Sequence, residues 1–584
     1  MMAETSFERL VDFATDDRII RLVAKERGKY AAKNGGTADP FCHDPLYREV
    51  RAICPPHKLW SDPGRGKLPA KADRGLARWT GRKKRAAIRV RQAIKKYRKT
   101  MPDAPWVQGL EAFILSVREA LSDPGLTLET PQILAKFKER DPVGNAYVYR
   151  PICRYTDLKT KIILALTYQY ILARFDKEFH RNMLFMRAAR REETGAYGVP
   201  NYLDAIDLMS AYRAKNNASP IYVGECDIQK FYDIFNHDVI VRCFEDLFAA
   251  AKTKDGAEDA DLDPLRRVIR AYLDSFDYPS CVLAKNEDPK FWKSERHRWR
   301  RETDGKEPEC RFKWVKDEDF IDSGCYTPEE FRAAREGKKL GIPQGGALSG
   351  IIVNVVMRVV DKQIVTPDDP QRLFIRYCDD ILLMHTDKQR CAHYLDLYHE
   401  QLLACKLVPH ARKDVAGFKS GKRTKPGFWH SKSKNVYRWG SGAGNASDWV
   451  AFVGYEMRRT GEIRIRKDKI DGEFRRIARK YYDIICSRDV TSGEKLSPED
   501  KQKLIARMDT LPGRILDYEK AKYNVYTRAQ ARRLDKYLYR KTVQAARKIW
   551  RSDAREDAGE EIREAVRGRT TYVSVVVESL KREL

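Results

Sequence analysis

Apolar residues follow two spacings along the chain, and these predict a mixture of helices and strands. Residues 159–179 and 348–365 are rich in apolar residues over lengths typical of helices, which predicts two largely buried helices. Residues 146–155, 219–228 and 374–385 are shorter runs rich in Val, Ile, Tyr and Leu, which is typical of strands. The pattern therefore predicts an α+β protein.

Less regular segments surround these elements. Residues 74–99 predict a basic helix, and the interleaved aromatic rings of Trp79 and Tyr97 favour contact with nucleic acid over a merely solvated face. Residues 290–320, within an insertion at about 252–338, are charged and aromatic, which fits either a surface that grips a nucleic-acid strand or a packed surface lobe.

The last part of the chain changes from strands to helices. Residues 448–470 predict a hairpin that turns near Thr460 and Gly461. From residue 470 onward the pattern is helical and basic, and residues 570–580 predict a closing strand or a buried tail.

Length, charge and cysteine usage narrow the class of protein. At 584 residues the chain is too long for one core, so two to four domains are expected. The net charge of +28, from 112 basic and 84 acidic residues, indicates a polyanion partner such as nucleic acid; the alternative is solubility alone. Twelve cysteines without a framework spacing predict reduced thiols in a cytoplasmic protein. Cys42, His43, Cys54 and His57 fit no standard zinc spacing.

No targeting or membrane segment is visible in the sequence. The first residues are acidic and lack the apolar core of a signal peptide. No apolar run approaches the roughly 18 residues that a membrane span needs. We therefore expect no membrane partner.

Two adjacent aspartates lie at the centre of the most strand-like run, between apolar residues on both sides. Successive residues of a strand point to opposite faces, so Asp379 and Asp380 can serve one site only if the chain turns there. We therefore predict a tight hairpin with its turn at Cys378 and Asp379. Asp227, at the end of the strand at 219–228, supplies a third carboxylate.

Three carboxylates brought together in this way predict a metal site. Buried carboxylates repel one another, and divalent cations with a preference for oxygen ligands, Mg²⁺ or Mn²⁺, remove that cost. Two such ions can activate a 3′-hydroxyl and stabilise a leaving pyrophosphate. The predicted chemistry is nucleotidyl transfer.

Five short motifs in this order give the sequence a specific resemblance. They are RPI, CDIQKFY, GIPQGGALSG, YCDD and FVGYEM, and together they resemble the reverse transcriptases over roughly residues 145–470. The resemblance implies a right-hand polymerase, with fingers, an antiparallel palm sheet and a thumb. The expected domains are a basic N-terminal extension (1–110), fingers (111–220), a palm with the insertion (221–465) and a helical thumb with a C-terminal extension (466–584).

The resemblance assigns the metal site and the selection of the sugar. Asp227, Asp379 and Asp380 match the catalytic, metal-binding aspartates, and the backbone carbonyl of Ile228 is expected to add a ligand to one of two Mg²⁺ ions, for which Mn²⁺ can substitute. Tyr232 matches the aromatic gate that leaves no room for a ribose 2′-hydroxyl; a plain core aromatic is the alternative.

The resemblance also assigns residues that hold the nucleotide and the primer. Arg150 matches the fingers arginine that contacts the incoming triphosphate, and Gln344 and Gly345 match the loop beside the nucleotide and template. Lys413 is a looser match for the lysine that protonates pyrophosphate, because the surrounding pattern departs from the usual one. The remaining match is the primer grip, which comprises Phe452, Val453 and Gly454.

Departures from the usual motifs separate the chain from several branches of the family. Group II intron and retron enzymes usually carry alanine at the position of Cys378, and diversity-generating enzymes usually carry Ser-Gln where Ser349 and Gly350 stand. No zinc-bound endonuclease, RNase H or integrase pattern is present. The insertion and the basic and helical extensions look more like bacterial defence enzymes of the abortive-infection and unknown groups.

This resemblance predicts a reverse transcriptase that acts in antiphage defence. Its expected partners are dNTPs, RNA (a noncoding RNA template in particular) and the DNA product, with a second copy of the chain or a second reverse transcriptase as further candidates. Synthesis without a template, or from a protein hydroxyl, is the alternative mode. The competing hypotheses are an intron- or retron-like mobile-element enzyme, an RNA polymerase with a similar palm, and a catalytically idle RNA-binding scaffold.

Overall fold

The structure is a computed structural model. It describes residues 7–31, 44–60, 77–141, 146–188, 190–191, 197–299, 307–346, 348–366, 368–420, 423–424, 431–442 and 444–466. The predicted thumb and the tail at 570–580 lie outside these residues, as do Cys42 and His43. Within the described part, no helix is both long enough and apolar enough to cross a membrane.

The fold is a mixed α+β fold, and most of its helices lie between or beside strands along the chain. The α-helices are α1 (Leu10–Phe13), α2 (Asp16–Ala31), α3 (Pro45–Ala52), α4 (Ala77–Thr100), α5 (Pro105–Ser122), α6 (Leu158–Phe175), α7 (Tyr202–Lys215), α8 (His237–Asp255), α9 (Asp259–Asp274), α10 (Tyr278–Cys281), α11 (Pro289–Trp299), α12 (Asp317–Asp322), α13 (Pro328–Glu336), α14 (Ser349–Val365) and α15 (Lys388–Ala404). Short 3-10 turns are formed by His57–Leu59, Asp176–Glu178, Leu283–Glu287 and Ala416–Phe418.

The strands belong to several small sheets and one larger sheet. They are β1 (Gln132–Asp141), β2 (Ala146–Arg154), β3 (Arg190–Arg191), β4 (Tyr197–Gly198), β5 (Tyr222–Cys226), β6 (Glu309–Phe312), β7 (Arg372–Tyr377), β8 (Asp380–His385), β9 (Arg412–Lys413), β10 (Lys419–Ser420), β11 (Arg423–Thr424), β12 (Ser433–Trp439), β13 (Ala446–Ser447), β14 (Trp449–Phe452), β15 (Tyr455–Arg458) and β16 (Ile463–Ile465).

The larger sheet carries the two predicted strand regions at 219–228 and 374–385. Its strand order is β13-β12-β5-β8-β7, and β9 also pairs with β12. The pairs β7–β8, β5–β8 and β12–β5 are antiparallel, as predicted for the palm, whereas β12 is parallel to β9 and to β13. The predicted palm sheet is therefore antiparallel at its centre and parallel only at one side.

Buried helices cover this sheet. Helix α15 packs on β5, β8 and β12, and α14 packs against α8 and α15. Helix α14 is apolar over most of its circumference, and nearly all of its residues are buried. This burial is expected because a helix without a polar face is stable only in the protein interior. The helices predicted at 159–179 and 348–365 are confirmed as α6 and α14.

The inserted segment is a packed lobe that completes a second sheet. Strand β6 pairs parallel to β2, which pairs antiparallel to β1. Trp292 and Trp299 of α11 are buried and contact the rings of Tyr149 and Tyr147 on β2. Of the two interpretations of this segment, the packing supports the packed lobe, because its aromatic rings fill a core and are not exposed for stacking on bases.

The basic helix predicted at 74–99 is present as α4, but part of its charge is already compensated. Arg91 and Lys95 form ion pairs with Asp17, and Arg98 pairs with Asp16 and Glu111. Since these acidic partners come from α2 and α5, this stretch of the helix helps to hold the N-terminal helices together.

The chain divides into two compact units, Met1–Leu68 with Arg82–Ser447, and Pro69–Gly81 with Asp448–Leu584. The described strands of the second unit form the sheet β14-β15-β16. The predicted turn near Thr460 and Gly461 joins β15 to β16, and a second tight turn at Val453 and Gly454 joins β14 to β15. The predicted hairpin is therefore a three-stranded meander.

Candidate active site

The two adjacent aspartates lie at the tip of the predicted hairpin. Tyr377 pairs with Asp380 across β7 and β8, so Cys378 and Asp379 form a two-residue turn. Cys378 has the left-handed backbone conformation, with φ 60°, which tight hairpin turns favour. The apolar residues on either side of the pair are buried in the sheet, and the turn brings both carboxylates to its edge.

Strand pairing brings the third aspartate to the same edge. Cys226 of β5 is the partner of Ile381 of β8 in an antiparallel pair, so Asp227 follows directly beside Asp380. The backbone of Asp227 is fixed by β12 and by the loop before β9: its N–H donates to Ser433 Oγ (3.0 Å), and its carbonyl accepts from the His410 N–H (2.9 Å). Although Asp227 is far from Asp379 and Asp380 in sequence, the pairing of β5 with β8 brings it close to them.

A lysine that the sequence reasoning missed contacts this carboxylate. Lys432 Nζ donates to Asp227 Oδ2, and its residue immediately precedes β12. Burial lowers the pKa of Lys432, but the charges of Asp227, Asp380 and Asp379 outweigh it and raise the pKa above its ordinary value. All three aspartates therefore act on one ammonium group. No motif marked Lys432, because only the pairing of β12 with β5 brings it to the site.

The aspartates repel one another, and a bound divalent cation would reduce this repulsion. Burial and the charge of Asp227 raise the pKa of Asp379. Within the described residues, no group of three or more His, Cys, Asp or Glu side chains has a ready metal-binding arrangement, and the positive group at Asp227 is Lys432. The carboxylates of Asp227, Asp379 and Asp380, which all act on the Lys432 ammonium group, are nevertheless the type of oxygen donor that a hard cation such as Mg²⁺ prefers.

A buried ion pair lies next to the turn at Cys378 and Asp379 and helps to hold it. Arg376 and Asp361 are both fully buried, and Arg376 Nε donates to Asp361 Oδ2 at 2.7 Å. Arg376 Nη1 also donates to the Cys378 carbonyl and to Asn354 Oδ1, each at 3.2 Å. The guanidinium thus joins the tip of the hairpin to helix α14.

The predicted gate residue touches the same hairpin. The Tyr232 hydroxyl lies 3.4 Å from Cys378 Sγ, and burial together with the nearby Cys378 and Asp379 raises the pKa of the phenol. The ring packs edge-on against Phe231, which is itself buried against Phe235. Tyr232 is therefore held between the hydrophobic core and the aspartate turn.

The loop containing Gln344 is tied closely to the segment after Asp227. The Ile342 N–H donates to the Tyr232 carbonyl (2.8 Å), and the Gly341 N–H donates to the Phe235 carbonyl (2.7 Å). Gln344 Nε2 donates to Asp233 Oδ1 at 2.5 Å. Gly345 has φ +93°, a conformation that glycine adopts without strain.

Gly341 permits this close approach, and Gly341→Ala is expected to be severely destabilising. Its φ is +85°, and a Cβ there would lie 2.6 Å from Tyr278 Cβ and 2.7 Å from the Asp233 carbonyl. Left-handed strain of about 1–2 kcal/mol and overpacking of about 1–3 kcal/mol would add. Urea unfolding measures the loss. The control is Gly256→Ala, because Gly256 has φ +67° with nothing within 4 Å of the added Cβ. Equal losses in the two variants would contradict the close packing.

The first sheet brings basic side chains toward this loop. Arg150 on β2 is exposed, pairs in register with Lys136 of β1, and acts electrostatically on Asp233. Burial lowers the pKa of Lys230; Asp233 opposes that shift, and the charges of Lys138 and Lys313 add to it. Lys138 and Lys313 were missed by the sequence reasoning, since nothing in their local pattern indicates that they lie near Lys230.

The remaining predicted residues fall in two places. Lys413 is exposed on β9 and pairs in register with Lys434 of β12, whereas the lysine in contact with Asp227 is Lys432. Val453 and Gly454 form the β14–β15 turn, with φ 44° and 94°, and Phe452 precedes them. Ile228 is buried and bridges to Pro409.

One family model matches the part of the chain that contains the aspartate hairpin. Residues 311–455 match the family model described as "Reverse transcriptase (RNA-dependent DNA polymerase)". The match includes the Gln344 loop, both hairpin aspartates and Lys432, and begins after Asp227. The chain therefore contains a domain of the polymerase class, and that domain is a reverse transcriptase domain. No curated protein matches the chain.

Solved structures give weaker likenesses. Apo telomerase from Candida tropicalis truncated from its C-terminal domain is 13% identical, with a TM-score of 0.31; the match covers 59% of this chain and only 56% of that one. Apo telomerase from the same organism is 12% identical over 99% of this chain and 91% of that chain, with a TM-score of 0.33. Telomerase from Candida albicans in complex with a fragment of telomeric RNA is 12% identical over 81% and 68%, with a TM-score of 0.29. At these TM-scores the likenesses do not establish a shared overall fold.

Proposed function

We propose that the chain synthesises DNA by two-metal nucleotidyl transfer, with Asp227, Asp379 and Asp380 as the metal-binding residues. The observation that carries this proposal is the pairing of Cys226 with Ile381, which brings Asp227 beside the two hairpin aspartates. The bound Mg²⁺ ions would activate the primer 3′-hydroxyl and stabilise the leaving pyrophosphate. The Ile228 carbonyl is expected to add a ligand. Lys432 neutralises part of the carboxylate charge and must leave Asp227 Oδ2 when a cation binds there.

The residues around the aspartates have complementary roles in this proposal. Arg150 would bind the triphosphate through its forked donors, and Gln344 and Gly345 would pack beside the base pair that is being formed. Tyr232 would exclude the ribose 2′-hydroxyl, since its ring stands against the aspartate turn. Phe452, Val453 and Gly454 would hold the primer, and Lys413 remains the proposed proton donor to pyrophosphate.

Tyr232→Ala is expected to admit ribonucleotides. Removing the ring opens space next to the sugar, so the ratio of ribonucleotide to deoxynucleotide incorporation should rise by about 10- to 100-fold. Single-nucleotide incorporation with matched dNTP and rNTP measures this ratio. Tyr232→Phe keeps the ring and should keep the selection. An unchanged ratio in Tyr232→Ala would contradict the gate and support a plain core role.

We further propose that the enzyme belongs with the bacterial defence reverse transcriptases and copies a bound noncoding RNA, or else synthesises DNA without a template or from a protein primer. The support is in the sequence: Cys378 before the aspartates, Ser349 and Gly350 after the glutamine loop, and the long segment before that loop. This segment is a packed lobe joined to β2, so it is an integral part of the molecule. A mobile-element enzyme is the second candidate.

Labelled-nucleotide incorporation by the purified chain tests these proposals. The protein is incubated with Mg²⁺ and each labelled dNTP in turn, with and without co-purified RNA, beside an Asp379→Asn/Asp380→Asn variant. Product of restricted composition that is lost in the variant and after RNase treatment supports a bound RNA template. Product that resists RNase and is released only by protease supports protein priming.

Two other outcomes would count against the proposal. Efficient copying of any added primer-template, with no co-purified RNA, would favour the mobile-element enzyme. No incorporation under any condition would contradict the polymerase function and favour an idle RNA-binding scaffold, although the presence of all three aspartates argues against that alternative.

A further inference from the structure

The buried carboxylate of Asp233, which lies outside the proposed metal site, contacts the glutamine loop. Asp233 follows the gate residue Tyr232 and is 2% exposed. It accepts from Gln344 Nε2 at 2.5 Å, and Lys230 Nζ lies 3.9 Å from its Oδ2. The Tyr278 hydroxyl donates to the Lys313 carbonyl at 3.5 Å and is close enough to Asp233 for each group to shift the pKa of the other. Burial raises its pKa to about 6, against the opposing effects of Lys230 and Gln344, so the group is ionised at pH 8.

The chemistry of these partners fixes the orientation of the Gln344 side chain. An ionised carboxylate only accepts hydrogen bonds, so it selects the NH₂ end of the amide and directs the carbonyl oxygen away from itself. The backbone of the same residue is also held, because the Gln344 carbonyl accepts from the Cys153 N–H of β2 at 2.8 Å. The backbone of Gln344 is therefore held in place, and its side-chain amide is held with the NH₂ group toward Asp233.

Tyr278 brings the inserted segment into this arrangement. Its N–H donates to the Leu340 carbonyl at 2.7 Å, and Asp277 Oδ1 accepts from the Leu340 N–H at 3.2 Å. Its ring stacks on Trp314 with the centroids 5.0 Å apart. Both aromatic residues lie in the segment between α9 and the glutamine loop, so the packed lobe reaches the loop directly.

We propose that Asp233 and Tyr278 are positioning residues that orient Gln344 toward the incoming nucleotide, so that the inserted segment takes part in nucleotide selection. The inference rests on the proposed polymerase function, in which Gln344 lies beside the nucleotide. An asparagine at position 233 can donate as well as accept, so it permits both senses of the Gln344 amide. Loss of the Tyr278 hydroxyl removes a polar group that favours the ionised form of the Asp233 carboxylate.

A double-mutant cycle in the full-length chain tests whether Asp233 acts through Gln344. The variants are Asp233→Asn, Tyr278→Phe, Gln344→Ala and the double variants that combine Gln344→Ala with each of the others. The readouts are the dissociation constant of the matched dNTP in a complex with a dideoxy-terminated primer-template, and kcat/KM for matched and mismatched dNTP. Asp233→Asn should weaken matched binding by about tenfold, and Tyr278→Phe by about threefold. Neither change should weaken binding further in the Gln344→Ala background.

A matched control separates positioning from general loss of structure. Asp369 is also a buried carboxylate, with Tyr394 Oη at 3.0 Å, but it lies at the opposite end of the β7–β8 hairpin, about 20 Å along the strands from the turn. Asp369→Asn should leave the dNTP dissociation constant unchanged in both backgrounds. Equal effects of Asp233→Asn with and without Gln344, or equal effects of Asp369→Asn and Asp233→Asn, would overturn the inference.

The binding readout keeps this inference distinct from the polymerase proposal. If the wild-type chain binds dNTP in the terminated complex but incorporates none into an extendable primer, the polymerase function fails, and the cycle still decides the role of Asp233. If incorporation is normal but the cycle is additive, the polymerase function stands and the positioning role is wrong. If no dNTP binds at all, both are contradicted.

Discussion

Asp379→Asn should abolish DNA synthesis while leaving the chain at least as stable as the wild type. The side chain of Asp379 is half-buried beside Asp227, and both the partial burial and the charge of Asp227 raise its pKa, so its charge costs stability in the folded protein at neutral pH. The amide removes that charge and also removes an oxygen ligand from the proposed metal site. We expect incorporation to fall by about 1,000-fold or more, since metal-assisted stabilisation of the transition state is worth several kcal/mol. Primer extension and urea unfolding in EDTA measure the two effects separately.

Asp369→Asn should have the opposite effects, with a loss of stability but no loss of DNA synthesis. Burial alone would raise the pKa of Asp369, but the Gln371 N–H, His385 and the Tyr394 hydroxyl lower it to about 2. Because the ionised form is the stabilised one, the amide should cost about 1–3 kcal/mol of stability while synthesis is retained. A loss of stability in Asp379→Asn comparable to that in Asp369→Asn, or substantial synthesis by Asp379→Asn, would contradict the assignment of Asp379.

Arg376→Met should destabilise the chain by about 3–5 kcal/mol, because it leaves the Asp361 carboxylate buried without its partner. Both side chains are fully buried, and the pKa of Asp361 is already raised to about 6 by burial, against the effect of Arg376. The Cys378 carbonyl would also lose its guanidinium donor. Urea unfolding measures the first effect, and primer extension by the folded fraction measures the second.

A second variant separates the ion pair from the support of the turn. In Arg376→Met/Asp361→Asn no buried charge remains, so much of the lost stability should return. Synthesis should stay impaired, because the Cys378 carbonyl still lacks its donor. If the double variant were as unstable as the single one, the cost would lie in packing and not in the unpaired charge. If it regained full synthesis, Arg376 would have no role in holding the turn.

Several elements could be predicted from the sequence because their signals are local. The apolar composition of residues 348–365 can be satisfied only by burial on every side, and the structure has a buried helix there. The adjacent aspartates within a strand-like run required a turn between opposite faces, and the turn is at Cys378 and Asp379. The order of the motifs indicated a reverse transcriptase, and residues 311–455 match that family.

Other features depended on residues distant in the chain. The charged and aromatic segment at 290–320 gave two equally good interpretations, since the composition of a packed lobe and of a stacking surface is the same. The choice was made by the pairing of β6 with β2, which buries Trp292 and Trp299. The hairpin predicted at 448–470 gained a turn at Val453 and Gly454, where both residues have positive φ.

The sequence by itself determined the chemical groups of the candidate site, which are three aspartates, the tyrosine proposed as a gate and a glutamine loop, together with the helices and strands that carry them. Each of these has a signal within a few residues, in the spacing of apolar positions or in a short motif. Only the tertiary structure decided which groups meet. Lys432 reaches Asp227, and Gln344 reaches Asp233 near Tyr278, because strand pairing and burial bring together side chains that no local pattern relates. Contacts between residues that are distant in sequence depend on the tertiary fold, so the local spacing of residues could not predict them.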